Sequence, residues 1–159
     1  MDLILASTSP YRRELLQRLG IPFTCISPDV DETAVPDEQP QDLARRLSQQ
    51  KAQAVSPQYP ESWVIGSDQV ATLDGKLLGK PGTHSAAFQQ LTSCSGREVH
   101  FFTGVALVCA SSGFVSTHVE PFKVRFRHLH DAQIENYLRR EEPYDCAGSF
   151  KCEGLGIVL

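Results

Sequence analysis

The stretch Leu3-Ile4-Leu5-Ala6-Ser7-Thr8-Ser9-Pro10-Tyr11-Arg12-Arg13, running on to Leu19-Gly20, decides the fold class. Its apolar opening reads as a short buried strand. Ser7-Thr8-Ser9 then turns the chain, and Pro10 opens a helix that carries Leu15, Leu16 and Leu19. Ser9 suits the N-cap, Pro10 the first helical turn and Gly20 the stop. A strand that leads through a polar turn into a helix is the start of an α/β fold.

The same junction is a cradle for anions, because the first backbone N–H groups of a helix lack partners and the dipole is positive there. Ser7 and Ser9 add hydroxyls. Arg12 and Arg13 fall in the first turn, where cations oppose the dipole. A bound polyanion would reverse that cost; the plainer reading is a pair of exposed arginines on a short helix. No glycine-rich P-loop or dinucleotide-binding pattern accompanies them.

Working outward, residues 23–26 read as a second strand, followed by a proline- and acid-rich loop, 27–39, that carries Asp29, Asp31 and Glu32 and is too polar for a core. Residues 40–55 have helical spacing, with Leu43, Leu47, Lys51 and Ala54 on one stripe. Lys51 either lays its stem along the edge of the buried face or directs an ammonium group into a cleft. Residues 63–73 read as a long strand interrupted by Gly66-Ser67-Asp68-Gln69, and Asp74-Gly75 marks a hairpin into Lys76-Leu77-Leu78. An interior carboxylate at Asp68 needs a cation, a metal or water to offset its desolvation, which suits a base; a turn-forming aspartate at a strand end is the alternative.

Gly79-Lys80-Pro81 follows, with Pro81 biasing Lys80 toward an extended backbone. A helix from about Thr83 through Phe88 and Leu91 stops before Gly96. Residues 98–110 and 114–127 read as an antiparallel pair joined by Ser111-Ser112-Gly113. Residues 131–140 read as an amphipathic helix with Ile134, Tyr137 and Leu138 inward, Pro143 prevents its continuation, and 157–159 reads as a last strand. His128 and His130, at a strand-to-helix junction, suit surface or capping roles better than metal binding. The whole predicts one α/β domain over 1–159, a mixed sheet flanked by helices.

At 159 residues and 41% hydrophobic content the chain can bury one substantial core. A net charge of −4 and a pI near 5.7 argue against a broad basic face for nucleic acid, so any positive charge that serves a phosphate must be local. No apolar run approaches the roughly 18 residues of a membrane span, and no basic leader precedes the first strand; no membrane partner and a cytosolic location are expected. The cysteines, Cys25, Cys94, Cys109, Cys146 and Cys152, are odd in number and form no CxxC pair, so they read as reduced thiols. Cys146 and Cys152 are spaced unusually for a zinc knuckle.

Taken in order, Ser7-Thr8-Ser9-Pro10-Tyr11-Arg12-Arg13, Asp31-Glu32-Thr33, Lys51-Ala52, Gly66-Ser67-Asp68-Gln69, Gly79-Lys80-Pro81 and Gly148-Ser149-Phe150-Lys151 resemble the bacterial Maf-like nucleotide pyrophosphatases. Each motif is weak alone, but the ordered set spans nearly the whole chain. The sequence is most similar to the subgroup acting on 7-methyl-GTP, since Tyr11, Gln69 and Glu153 correspond to specificity positions of that family. The resemblance implies an elongated α/β fold similar to that of inosine triphosphate pyrophosphatases, with two lobes around a cleft. It also implies metal-dependent attack of water at the α-phosphorus of a nucleoside triphosphate. Asp68 matches the family's proton acceptor, Ser7, Arg12, Arg13, Lys51 and Lys80 match triphosphate-binding residues, and Glu32 would join Asp68 in holding Mg²⁺ or Mn²⁺. A dTTP or UTP preference, a non-hydrolysing nucleotide-binding regulator of cell division, and a homodimer are left open. Family members usually continue through a Gly-Leu-Pro segment into a C-terminal helix, so the chain is expected to lack that segment.

Overall fold

The apolar opening forms β1 (Leu3–Ala6), whose last residues, Ile4, Leu5 and Ala6, are almost wholly enclosed. The computed structural model describes residues 2–159. β1 pairs in parallel with β2 (Thr24–Ile26) and with β3 (Trp63–Leu73), Ala6 lying opposite Gly66. Asp74 (φ 49°) and Gly75 (φ 77°) adopt the left-handed backbone that a tight hairpin turn requires, and β4 (Lys76–Leu78) returns antiparallel to β3. β5 (Glu98–Cys109) and β6 (Phe114–Arg125) complete a sheet ordered β2-β1-β3-β5-β6, with β4 on β3 off that path. Neighbouring strands joined by so short a turn as that between β5 and β6 run antiparallel. The helices are α1 (Pro10–Gln17), α2 (Pro40–Val55), α3 (His84–Cys94) and α4 (Asp131–Glu141), and the mixed sheet with flanking helices is the architecture expected.

The chain divides into two compact units, Met1–Gln69 with Thr103–Glu120, and Val70–Phe102 with Pro121–Leu159. In the first, Ile4, Ala6, Ala52, Val55, Val64, Ala106 and Val108 form the core. The predicted stripe of α2 is buried at Leu43, Leu47 and Lys51, while Ala54 is half-buried. A second stripe of small residues, Ala44, Ser48 and Ala52, is wholly enclosed and lets the helix backbone approach the strands. A methyl group on Gly66 would overlap the carbonyl oxygen of Ser48, and one on Gly104 the carbonyl oxygen of Ala44.

In the second unit Leu73, Leu91, Phe101, Phe126, Ile134 and Leu138 lie at the centre of the core. The Phe150 ring packs against Phe101 and Phe126 at centroid distances of 5.4 and 5.7 Å. His130 is the N-cap residue of α4 and its backbone N–H donates to Gln133 Oε1 at 3.0 Å, a capping role as predicted, while the His128 ring fills the space beside Gly96.

Two sequence expectations are corrected. Gly66-Ser67-Asp68-Gln69 does not interrupt β3, which runs unbroken from Trp63 to Leu73, because an extended ladder needs backbone partners rather than apolar side chains. Residues 157–159 form no strand: Leu155–Val158 is a 3-10 turn, closed locally by Gly156 N–H to Lys151 O at 3.0 Å and Leu159 N–H to Gly156 O at 3.0 Å. All five cysteines are free; burial pushes the Cys94 thiol up to about 11, so it stays protonated at neutral pH. No helix among the described residues is long and apolar enough to cross a membrane.

Candidate active site

The end of β1 delivers Ser7 into the loop before α1. Ser7 is buried, and its Oγ accepts from the Ser9 N–H at 3.1 Å. Ser9 caps α1 by accepting from the Arg12 N–H at 3.4 Å. The loop hydroxyls are thus built into the turn that starts the helix, Tyr11 and Arg12 are half-buried on its first turn, and Arg13 is exposed beside them. α1 has no acidic residue in that turn, so its positive end carries added cationic charge.

β3 and α2 supply the centre of the site. Lys51 and Asp68 are both buried, and Lys51 Nζ donates to Asp68 Oδ1 at 2.6 Å. The same ammonium group lies 2.6 Å from Glu32 Oε1, whose side chain is half exposed on the 27–39 loop. A lysine charge enclosed to this degree costs several kcal/mol unless it is paired, and the two carboxylates supply that pairing. The snorkelling alternative for Lys51 is therefore set aside, and the turn-forming alternative for Asp68 fails because β3 continues through it.

The loop that carries Glu32 is anchored by residues that the sequence did not single out. Arg46 on α2 grips Glu38 with one edge of its guanidinium, Nε to Oε1 at 2.7 Å and Nη2 to Oε2 at 2.8 Å, and Nη2 also reaches Thr33 O at 3.1 Å. This bidentate pair holds the Glu38 carboxyl below the usual glutamate range. Asp31 closes its own short turn by accepting from the Thr33 N–H at 2.9 Å, and hydrogen bonding from the Thr33 side chain, then from its backbone, lowers the Asp31 pKa. A glutamate eight residues before an arginine gives no local periodicity signal, so sequence reading passed over the pair.

Gln69 is exposed, and its Nε2 donates to Thr103 Oγ1 at 3.0 Å. Ser7, Tyr11, Arg12, Arg13, Glu32, Lys51, Asp68 and Gln69 all belong to the first unit, and direct contact joins Lys51, Asp68 and Glu32. Lys80 and Glu153 belong to the second unit, where both are exposed. A concavity of about 420 Å³ in that unit, lined by Thr72, Asp74, Gly75, Arg97, Glu98 and His100, contains none of the predicted residues. Within it Arg97 pairs with Asp74, and His100 Nε2 lies in hydrogen-bond contact with Glu98 Oε1 at 2.8 Å.

No group of three histidine, cysteine or acidic side chains fit to hold a metal occurs among the described residues. The adjacent carboxylates of Glu32 and Asp68 are nevertheless hard oxygen donors, a set that suits Mg²⁺ or Mn²⁺ when water and phosphate oxygens complete the shell.

The sheet and its helices place the chain in the fold class of the Ham1 proteins. The structure of the Staphylococcus aureus Ham1 protein superposes with a TM-score of 0.56 at 14% identity, over 79% of this chain and 71% of that one. A Ham1 protein from Coxiella burnetii gives 0.53 at 16% identity, over 79% and 72%.

Within that fold the chain belongs to the Maf-like protein family, whose signature matches residues 2–159. It is 57% identical to a 7-methyl-GTP pyrophosphatase of Nitrosococcus oceani, over 99% of this chain and 79% of the relative. It is 59% identical to a protein of the same description from a Polaromonas species, over 99% and 72%.

Proposed function

We propose that the chain hydrolyses 7-methyl-GTP to the monophosphate and pyrophosphate. The observation that carries this reading is the buried Lys51 ammonium held at 2.6 Å by both Asp68 and Glu32, a few residues along β3 from the register pair Ala6 and Gly66 that leads into the Ser7 loop. The names of relatives that share more than half of the sequence support it.

In this reading the N–H groups at the start of α1, with the Ser7 hydroxyl, Arg12 and Arg13, bind the polyphosphate and offset the dipole penalty of those arginines. Lys51, whose Nζ lies 2.6 Å from Asp68 Oδ1, orients that carboxylate and stabilises negative charge as the pyrophosphate leaves. Asp68 accepts the proton of the attacking water. Glu32 and Asp68 would together hold Mg²⁺ or Mn²⁺, which when bound supplies a Lewis acid for the phosphate oxygens and a water of lowered pKa. Lys80 takes a phosphate-binding role on its Gly79-Lys80-Pro81 motif. Tyr11 offers a ring to stack on the base, Gln69 a polar edge, and Glu153 a carboxylate for the cationic methylated ring.

The test is a panel of 7-methyl-GTP, GTP, dTTP and UTP, with the nucleoside monophosphate product resolved by ion-exchange chromatography, with and without EDTA. The expected result is the highest kcat/KM for 7-methyl-GTP, abolished by EDTA. A preference for dTTP or UTP would overturn the substrate, turnover unaffected by EDTA would overturn the metal, and tight binding without product would overturn the hydrolysis.

A further inference from the structure

We propose that Gln90 and Ser149 are positioning residues that clasp the 79–82 loop and pre-set Lys80 for phosphate; this rests on the reading above in which Lys80 contacts the substrate. Lys80 stands between Gly79 and Gly82, the latter at φ 69°, a sequence that by itself would leave the loop loose. The loop is nonetheless tied at both ends. The Gly79 carbonyl accepts from Gln90 Nε2 at 3.0 Å and from the Gly148 N–H at 3.3 Å, and the Gly82 N–H donates to Tyr144 O at 3.0 Å.

Ser149 controls this arrangement. Its Oγ donates to Gln90 Oε1 at 2.6 Å, which fixes the amide so that its nitrogen faces Gly79. Ser149 is fully buried, and at φ 56° it occupies a backbone region that glycine enters more easily. A hydroxyl-bearing residue therefore stands where glycine would be less strained, and the hydroxyl is spent on Gln90. Backbone strain of this kind persists where the surroundings over-determine it. Tyr137 does so here, donating to Ser149 O at 3.1 Å and accepting from the Lys151 N–H at 3.0 Å. Ordering the loop during folding spares that cost when the triphosphate binds.

Ser149→Gly separates positioning from stability, because it removes the hydroxyl while relieving the backbone. The expected result is an unchanged or higher Tm, an increase in KM for 7-methyl-GTP of about five- to tenfold, and a kcat within about twofold of wild type. Gln90→Leu is expected to raise KM similarly. In a Lys80→Ala background the Ser149→Gly effect on KM should vanish, and full additivity would overturn the proposal. Amide hydrogen exchange without nucleotide tests the clasp apart from catalysis: Gly82 and Gly148 should exchange faster in Ser149→Gly. Unchanged exchange would overturn the clasp even in an active enzyme, whereas a Lys80→Ala protein with wild-type KM would overturn the phosphate role of Lys80 and leave the exchange result standing.

Discussion

Gly66 of β3 meets Ser48 of α2 backbone to backbone: a side chain on the glycine would overlap the serine carbonyl oxygen and stand 2.6 Å from the Ala52 nitrogen. That closeness brings Lys51, the residue before Ala52, within reach of Asp68, two residues past Gly66. Gly66→Ala must therefore push the helix away or distort the strand. Overpacking of this kind costs about 1–3 kcal/mol, and with backbone as the obstacle the upper end is expected. Urea unfolding should show the loss, and kcat per folded molecule should fall as Lys51 leaves Asp68. Wild-type stability together with wild-type turnover would show that the contact is loose in solution.

Asp68→Asn keeps shape and burial but removes the carboxylate proposed above to accept the proton. The fold is expected to survive, because the amide can still accept from Lys51 Nζ. Turnover should drop by about 10²- to 10⁴-fold, the range for loss of a general base, with a smaller change in KM. Pyrophosphate release within about tenfold of wild type would take Asp68 out of the chemistry.

The elements were legible wherever a local rule set them. Ser9-Pro10 begins α1, Thr83 caps α3, and Asp74-Gly75 turns β3 into β4 at the predicted residues. Lys51 and Asp68 stood out because each placed a charge in an apolar pattern, and the fold joins those two anomalies in one ion pair. Contacts that depend on tertiary approach gave no such sign. The Ala44, Ser48 and Ala52 stripe becomes meaningful only when Gly66 and Gly104 face it, and Glu38 with Arg46 only when the loop folds back. Residues 157–159 misled because apolar character predicts burial or a strand alike, whereas Ile157 is 90% exposed and only Leu159 is buried, its carbonyl accepting from the Arg127 N–H at 2.9 Å beyond the 3-10 turn.

Lys51→Met tests whether the pair is coupled as its geometry requires. Removing the ammonium leaves Asp68 enclosed without its cation, while Glu32 can relax into water because its side chain is 51% exposed. Breaking a buried pair from one side costs about 3–5 kcal/mol, so urea unfolding at neutral pH should show a loss near the lower end. Adding Asp68→Asn should restore at least half of that loss, since the double variant buries no unpaired charge. If the second substitution only adds to the first, Lys51 acts through packing rather than charge.

The Glu38 and Arg46 pair predicts an acid-side transition in the loop that carries Glu32. The Arg46 guanidinium holds the Glu38 carboxyl below its ordinary value of 4.5 in the folded protein. As pH falls the unfolded chain therefore binds this proton first, and the stability that the pair contributes is complete above that value and disappears as pH drops through the lowered one. The stability difference between wild type and Glu38→Gln should be constant from about pH 6 to 8 and shrink below about pH 4.5. A difference that does not change with pH would show that Glu38 contributes through shape alone.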